Sequence, residues 1–584
     1  GREGNIGARP QNEVGVHAVR GGSIVDRTAI TRFRADLGVK NGRIAKISGR
    51  INGGGAKEID ARDCIVSPGA IDLHTHYDAQ VTWDPSLDPS PTHGVTTAIM
   101  GNCGFTIAPC RPCDRDLIMR NLTQVEGMSL DALRSGIRWN FESFSEYLDL
   151  LRRKGVYPNV ACLASHSVMR TAVMGDAGSE RPSTPEELEA IVGLLREAMD
   201  AGAIGLASSS NENHRGAGGI PIASRLATDE EFRTLAGVLK DYDHGVFMAT
   251  FGEKHSIPFL EEICSITGKP GFYAAHFYYV HQPERARNIM NMAADARRRG
   301  IPVYTQGSCQ PLSLTFTLDK AYILKAMESW PATEDHDELR SIFMDPSFRD
   351  AFRKVLKKKD SQHLFYGRWD WVPIAAVGFK KNENLVGRTV AEIAEERGED
   401  PFDTFLEIGL EENFATKFSF YILNMDEDGV AEIIANDGTL ISLSDAGAHN
   451  ALLCDAGYAM HLFGHWTRDK GLFDLPTAIR KVTSDPANTY GIVDRGVLKS
   501  GSWADMILFD PDKIHITKMS RHYDLPAGGE RLLRKAPGLH GTWVNGVQVF
   551  DGSDYVDVSP PGQVLTEFNN SLPALGMRQR LAAE

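Results

Sequence analysis

The chain has 584 residues, of which 42% are hydrophobic and 24% charged, with 8 cysteines and a formal net charge of −14. That length allows about four average domains, or fewer if a large barrel takes more than about 250 residues as one unit. The acidic balance leaves no basic footprint for nucleic acid or an anionic membrane, and scattered cysteines do not make the dense framework of a small secreted domain, so a small-molecule partner and a reducing, cytoplasmic setting are expected.

Residues 1–13 do not read as the start of a packed element, lack the apolar core of a signal peptide, and are left out of the fold reasoning. No window approaches about 18 consecutive apolar residues, so no membrane span is expected. From Val14 to Ser67 short β-like runs alternate with Gly, Asn-Gly and Pro turns, and 495–555 reads the same way, with a hairpin signal at Asn545-Gly546. Two β units therefore bracket the chain.

Between them the pattern changes to strands alternating with helices. Apolar strand-like runs fall near 70–74, 95–100, 159–165, 203–208, 245–250, 271–276, 301–305 and 440–445. The intervening helices carry their own punctuation: Thr184, Pro185 and Glu187 open one as a capping box and Gly202 closes it, and Thr228 with Glu231 repeats the grammar. Eight such units predict an α/β fold, a (β/α)8 TIM-type barrel over 68–305 and 440–494, with catalytic groups at the C-terminal strand ends. The stretch 306–439 is too long for a structureless loop and is expected to be an inserted subdomain beside the barrel mouth, with 556–584 a C-terminal tail.

The strand ends carry ligand-type side chains. His74 and His76 close the first strand, two apart and so on one face, Cys103 follows the second, His276 ends the sixth and Asp445 the eighth. Imidazole, thiolate and carboxylate opening on one barrel face are the donor set of a zinc-like site. Trp83, shortly after the histidine pair, and His166, at the end of the third strand, are candidates to line the pocket. The glycine-rich loop after strand four, with His214 and Arg215, is a candidate lid that could bring a cation to the substrate. Cys110 and Cys113 have redox-motif spacing without its context and read as structural thiols.

At these residues the chain resembles a family. "SPGAIDLHTHYDA", "HGVTTAIMGNCGFTIAP", "LSDAGAH" and "RGVLKSGSWADMILFDP" are similar to signature segments of the metal-dependent amidohydrolase superfamily, in its N-acyl-D-amino-acid deacylase (D-aminoacylase) branch, with Gly-Asn-Cys-Gly the most discriminating. The resemblance spans about residues 20–515 and implies a (β/α)8 barrel flanked by a small β-sandwich built from 14–67 and 495–555. It implies a hydrolase that cleaves an amide (N-acyl) bond through metal-activated hydroxide, with one or two zinc ions. His74 and His76 would hold one metal, Cys103 would be a thiolate ligand able to bridge two, and His276 would hold the second. Asp445 would be both ligand and general base, and Tyr304 would donate to the developing oxyanion. The same scaffold supports hydrolysis of a cyclic amide, lactone, carbamate or ester, and, from another class, a degenerate scaffold or binding protein.

Two departures stand out. Phe251 occupies the place of the strand-five histidine that in the family helps hold the tightly bound metal, which leaves one or two metals open, and Lys254 and His255 follow it within four residues. Tyr278 stands where the family has a substrate-binding lysine, and the loop after Asp445 offers no arginine before Arg468. The expected substrate is therefore a neutral or aromatic amide, carbamate or ester, unless another loop supplies a cation. The oligomeric state is not legible in the sequence, although large barrels of this kind often assemble.

Overall fold

Eight parallel strands form the centre of the molecule in the computed structural model, which describes residues 17–25, 32–52, 57–325, 327–358, 363–447 and 456–570. Ala70–Asp72, Val95–Met100, Asn159–Ser165, Gly205–Ser209, Phe247–Thr250, Gly271–His276, Val303–Gly307 and Thr439–Ile441 pair in chain order. Leu443–Ala446 continues the eighth strand and pairs in parallel with His74–Thr75, Leu443 opposite His74, which closes the ring. Every residue of Val95–Met100 and Asn159–Ser165 is buried, as expected for strands covered on both faces. The expected strands are found to within a few residues. The stretch 1–13 lies outside the described residues.

The helix punctuation decides where the chain turns back. Pro185–Ala201 opens on the complete Thr184–Glu187 capping box and ends at Gly202, whose φ of +106° and closeness to Thr566, 2.3 Å from an added Cβ, both exclude a side chain. Thr566 belongs to the segment after the last strand, which runs beneath the barrel through bridges Val156–Gly562, Val160–Val564 and Ile492–Phe568.

The second box is half made. Thr228 accepts from the Glu231 amide at 3.1 Å, but the Glu231 carboxylate turns inward instead of capping. It accepts from Arg170 at 2.7 and 2.6 Å, from His166 Nε2 at 2.8 Å and from Ser183 at 2.7 Å. Arg170 and Glu231 are both 0% exposed, so each charge needs the other more than the helix needs a second cap.

The bracketing β units form one eight-stranded sheet from both ends of the chain. Its period-two pattern faces two cores: Ile24, Val66, Met506 and Leu508 pack within the sheet's own core, while Val25, Ile65, Ile507 and Phe509 pack against the segment Tyr458–Trp466. The Asn545-Gly546 turn has φ of 48° and 78°, the left-handed pair that a two-residue hairpin requires. Within 306–439 a three-stranded sheet, Leu312–Thr317, Lys417–Leu423 and Ile374–Ala376, carries an aromatic core that includes Phe343, Phe352, Trp369, Phe402 and Phe405. An unexpected hairpin, Ser520–Leu525 with Gly529–Leu533, ties these parts: Arg531 pairs with Asp88 at 2.7 Å and Glu530 pairs with Lys417. No described helix is long and apolar enough to cross a membrane.

The buried Arg170–Glu231 pair makes a stability prediction. Burial opposes the Glu231 charge, but His166 and Arg170 outweigh it and hold the carboxyl at about 2, below its ordinary 4.5. A carboxyl lowered in the fold stabilises above its unfolded pKa and loses that contribution as pH falls through the folded value, here between about 4.5 and about 2. Glu231→Gln is expected to lower unfolding free energy at pH 7 by about 3–5 kcal/mol, because it strands Arg170, and to flatten the loss between pH 4.5 and 2. Urea denaturation across that range checks both.

Candidate metal centre

The first strand delivers two imidazoles to one point. His74 and His76 are buried with ring centroids 5.2 Å apart, and with Cys103 they form a group whose ligand atoms lie within 4.8 Å of one another. Cys103 Sγ is 3.3 Å from His74 Nε2, and Asp445 Oδ1 is 3.3 Å from His74 Nε2 and 3.4 Å from His76 Nε2. Both Nε2 atoms therefore point at the thiol and the carboxylate. The far nitrogen of His74 has a partner that fixes its tautomer: Nδ1–H donates to Gln306 Oε1 at 2.9 Å, and the Gln306 amide donates to the Tyr490 hydroxyl at 2.7 Å, while His76 Nδ1 lies at ion-pair distance, 3.4 Å, from Glu126 Oε1.

Local backbone strain aims the other two groups. Cys103 and Asp445 adopt left-handed φ of 56° and 54°, uncommon for residues with a Cβ. Gly101 permits the tight loop: its φ is +82°, and an added Cβ would stand 2.5 Å from the Leu163 carbonyl oxygen. Asn102 pins the loop by donating to the Ile99 and Thr75 carbonyls at 2.9 and 3.3 Å.

The electrostatics of the cluster favour a cation. Burial pushes the Cys103 thiol up, but the two imidazoles outweigh it and bring it to about 7, below the ordinary 9. Burial disfavours imidazolium at His74, yet Cys103 and Asp445 raise its pKa above the ordinary value. Two imidazoles, a readily ionised thiol and a carboxylate at the cavity wall fit a zinc ion by ligand type.

Other expected site residues lie elsewhere, each for a local reason. The sixth strand carries a register irregularity between Ala274 and His276, which turns His276 off the inward face. Its Nδ1 meets Thr305 Oγ1 at 3.2 Å and its Nε2 the Ala286 carbonyl at 3.3 Å, and burial lowers its pKa to about 4. Tyr304 shares a face with Gln306 but sits one inward layer lower, stacked on Phe272 at 5.8 Å and beneath Arg297. Tyr278 packs against Gly429 in the apolar cluster with Val430 and Ile433. Trp83 packs on Gly136, and Arg215 is exposed and donates to Gly219 of its own loop.

His166 belongs to the buried charge network. Its Nδ1 accepts from Ser208 at 2.9 Å and its Nε2 donates to Glu231, an order resembling a nucleophilic triad. All three residues are 0% exposed and none lines the cavity, so no substrate reaches them.

A cavity of about 1080 Å³ opens above the cluster, lined by His74, Cys103 and Asp445 at one end. His214 reaches it, held through Nδ1 by Ser209 at 2.8 Å. Phe251 also lines it, stacked on Tyr273 at 5.5 Å, while Thr250, Ala274 and Gln306 share one level of the ladder. His255 packs between Phe232 and Phe259, with Nδ1 on the Thr250 carbonyl, and does not join the ligand group.

Sequence reading missed Glu126 and Gln306. Glu126 ends the helix Arg115–Glu126 and reads as a surface acid before a glycine. Gln306 had a signal: it stands two residues from Tyr304, on the same face and nearer the strand end.

Comparison with known proteins agrees with this geometry. The profile of the amidohydrolase family matches residues 57–344 and 370–550. A D-aminoacylase of Alcaligenes xylosoxydans xylosoxydans is 28% identical over 539 residues, covering 91% of this chain and 93% of that one. An N-acyl-D-aspartate deacylase from the same organism is 27% identical over 553 residues, 94% of each. A D-aminoacylase structure, described as having a binuclear metal centre with one-metal activation and second-metal attenuation, superposes with a TM-score of 0.66 at 25% identity, covering 94% of this chain and 99% of that one.

Gln306→Leu removes the acceptor that holds His74 Nδ1–H. Zinc affinity, measured by chelator competition, is expected to fall about 10- to 100-fold with the fold retained.

Proposed function

Because this chain belongs to the amidohydrolase family, and to its D-aminoacylase-like branch, it is a metal-dependent hydrolase of carbon–nitrogen bonds, and we propose that His74, His76, Cys103 and Asp445 hold a single zinc ion for cleavage of an N-acyl bond. The convergence of both Nε2 atoms on Asp445 Oδ1, with Cys103 Sγ 3.3 Å from His74 Nε2, carries this reading. A bound zinc ion would lower the pKa of water and polarise the acyl carbonyl.

The chain's own residues supply the rest. The Asp445 carboxylate, 15% exposed at the cavity wall, takes a proton from the attacking water as its oxygen bonds to the carbonyl carbon. It returns that proton to the nitrogen as the carbon–nitrogen bond breaks, leaving a carboxylic acid and an amine. Gln306 and Glu126 hold the imidazoles in orientation. The substrate is a small molecule, and the similarity to deacylases of N-acyl-D-amino acids supports a compound of that kind.

The second-site residues support reading the site as holding a single ion. The strand-six imidazole faces away, Phe251 cannot ligate, and among the described residues one group of three ligand side chains is close enough to hold a metal. The likeness to a D-aminoacylase described as activated by one metal is consistent with it.

Metal analysis and an assay on N-acyl amides and matched esters test the reading. The protein is expected to carry about one zinc per chain. His74→Ala and Cys103→Ala should lose it, and Asp445→Asn should lose about 10²–10⁴-fold in kcat. Unchanged metal in both ligand variants, or unchanged turnover in Asp445→Asn, would contradict it.

A further inference from the structure

The wall of the cavity that His74, Cys103 and Asp445 line also holds a guanidinium. Arg285 stands in the first turn of the helix Pro283–Arg298, which follows the sixth barrel strand. Its guanidinium carbon lies 4.8 Å from the ring centroid of Phe251 and 4.4 Å from that of Tyr279. Tyr273 stacks on Phe251 with an interplanar angle of 18°. Phe251, Tyr273, Tyr279 and Arg285 line the same cavity as His74, Cys103 and Asp445.

This is a built position. Two rings flank the guanidinium, so less side-chain freedom is lost when it meets a ligand. Among the described residues no carboxylate lies within ion-pair distance of Arg285, whereas the neighbouring Arg287 is paired with Glu432 at 2.9 Å. A half-buried guanidinium with aromatic neighbours and an open edge presents parallel N–H groups, the shape that meets a planar oxyanion in two hydrogen bonds.

We propose that Arg285 is the specificity residue of this site: it binds a carboxylate on the substrate, whose apolar body lies along Phe251, Tyr273 and Tyr279 while the N-acyl bond reaches the His74–Cys103–Asp445 end. This rests on the hydrolase reading above and replaces the expectation of a neutral substrate. The aromatic positions explain each other: Phe251, which ends ligation at the fifth strand, serves as the platform of the arginine.

The test compares N-acetylphenylalanine, both enantiomers, with N-acetylphenylalaninamide on the zinc-loaded protein, by calorimetric binding and by hydrolysis. The wild type is expected to bind the carboxylate more tightly than the amide. Arg285→Met should weaken the carboxylate about 10- to 100-fold and leave the amide within about twofold. Arg285→Lys, which keeps the charge and loses the flat fork, should fall between them, and unchanged thermal melting shows that both variants are folded. Equal losses for both ligands, an unchanged carboxylate, or no binding of either by wild type overturns the proposal. Discrimination in binding without hydrolysis of either compound contradicts the hydrolase reading and leaves the Arg285 assignment standing.

Discussion

The structure depends on four donor groups brought together at one end of the cavity. His74 Nε2, His76 Nε2, Cys103 Sγ and Asp445 Oδ1 meet at the C-terminal end of the barrel, and the side chains of the two histidines are 3% exposed. The thiol and the carboxylate both face the imidazole Nε2 atoms, and a divalent ion would balance their negative charges while the neutral imidazoles complete its donor set.

The surrounding chain bears the cost of aiming these groups. Cys103 and Asp445 are held in left-handed conformations that cost of order 1–3 kcal/mol each. Asn102, Gly101 and the bond from the His76 amide to the Ala446 carbonyl at 2.8 Å leave them no alternative. Gln306 and Tyr490 carry the constraint into the barrel floor, where Tyr490 packs on Phe272 with centroids 4.5 Å apart. Metal site and barrel core are thus one packing problem, and substitutions in the floor reach the site through His74.

Much of this was legible in the sequence, for identifiable reasons. The eight buried strands announced themselves as apolar runs after glycine-capped helices, and His74, His76, Cys103 and Asp445 stand out because metal donors at strand ends are few. What escaped was set by single-residue geometry. A register irregularity turned His276 outward, and one step of two residues placed Tyr304 below the site and Gln306 at it. Glu231 fits a capping box by pattern, but the pull of a buried guanidinium is a tertiary effect that spacing does not carry. Arg285 lies nine residues past the strand-six histidine in a helix rich in arginine, and only its place on the cavity wall, between the rings of Phe251 and Tyr279, distinguishes it from Arg287 and Arg297.

The inserted segment adds Leu312, Leu314 and Ile422 to the cavity wall, so it shapes what the barrel can admit while the barrel keeps the chemistry. The account therefore separates two jobs: a fixed metal end and an aromatic, arginine-bearing end that chooses the substrate. Its central claim is the single ion. Crystals grown with zinc and measured at the zinc absorption edge test it most directly. The account predicts one anomalous peak per chain, among His74, His76, Cys103 and Asp445. A second peak of comparable height beside Thr250, Phe251 or His276, or no peak at the first position, would contradict it.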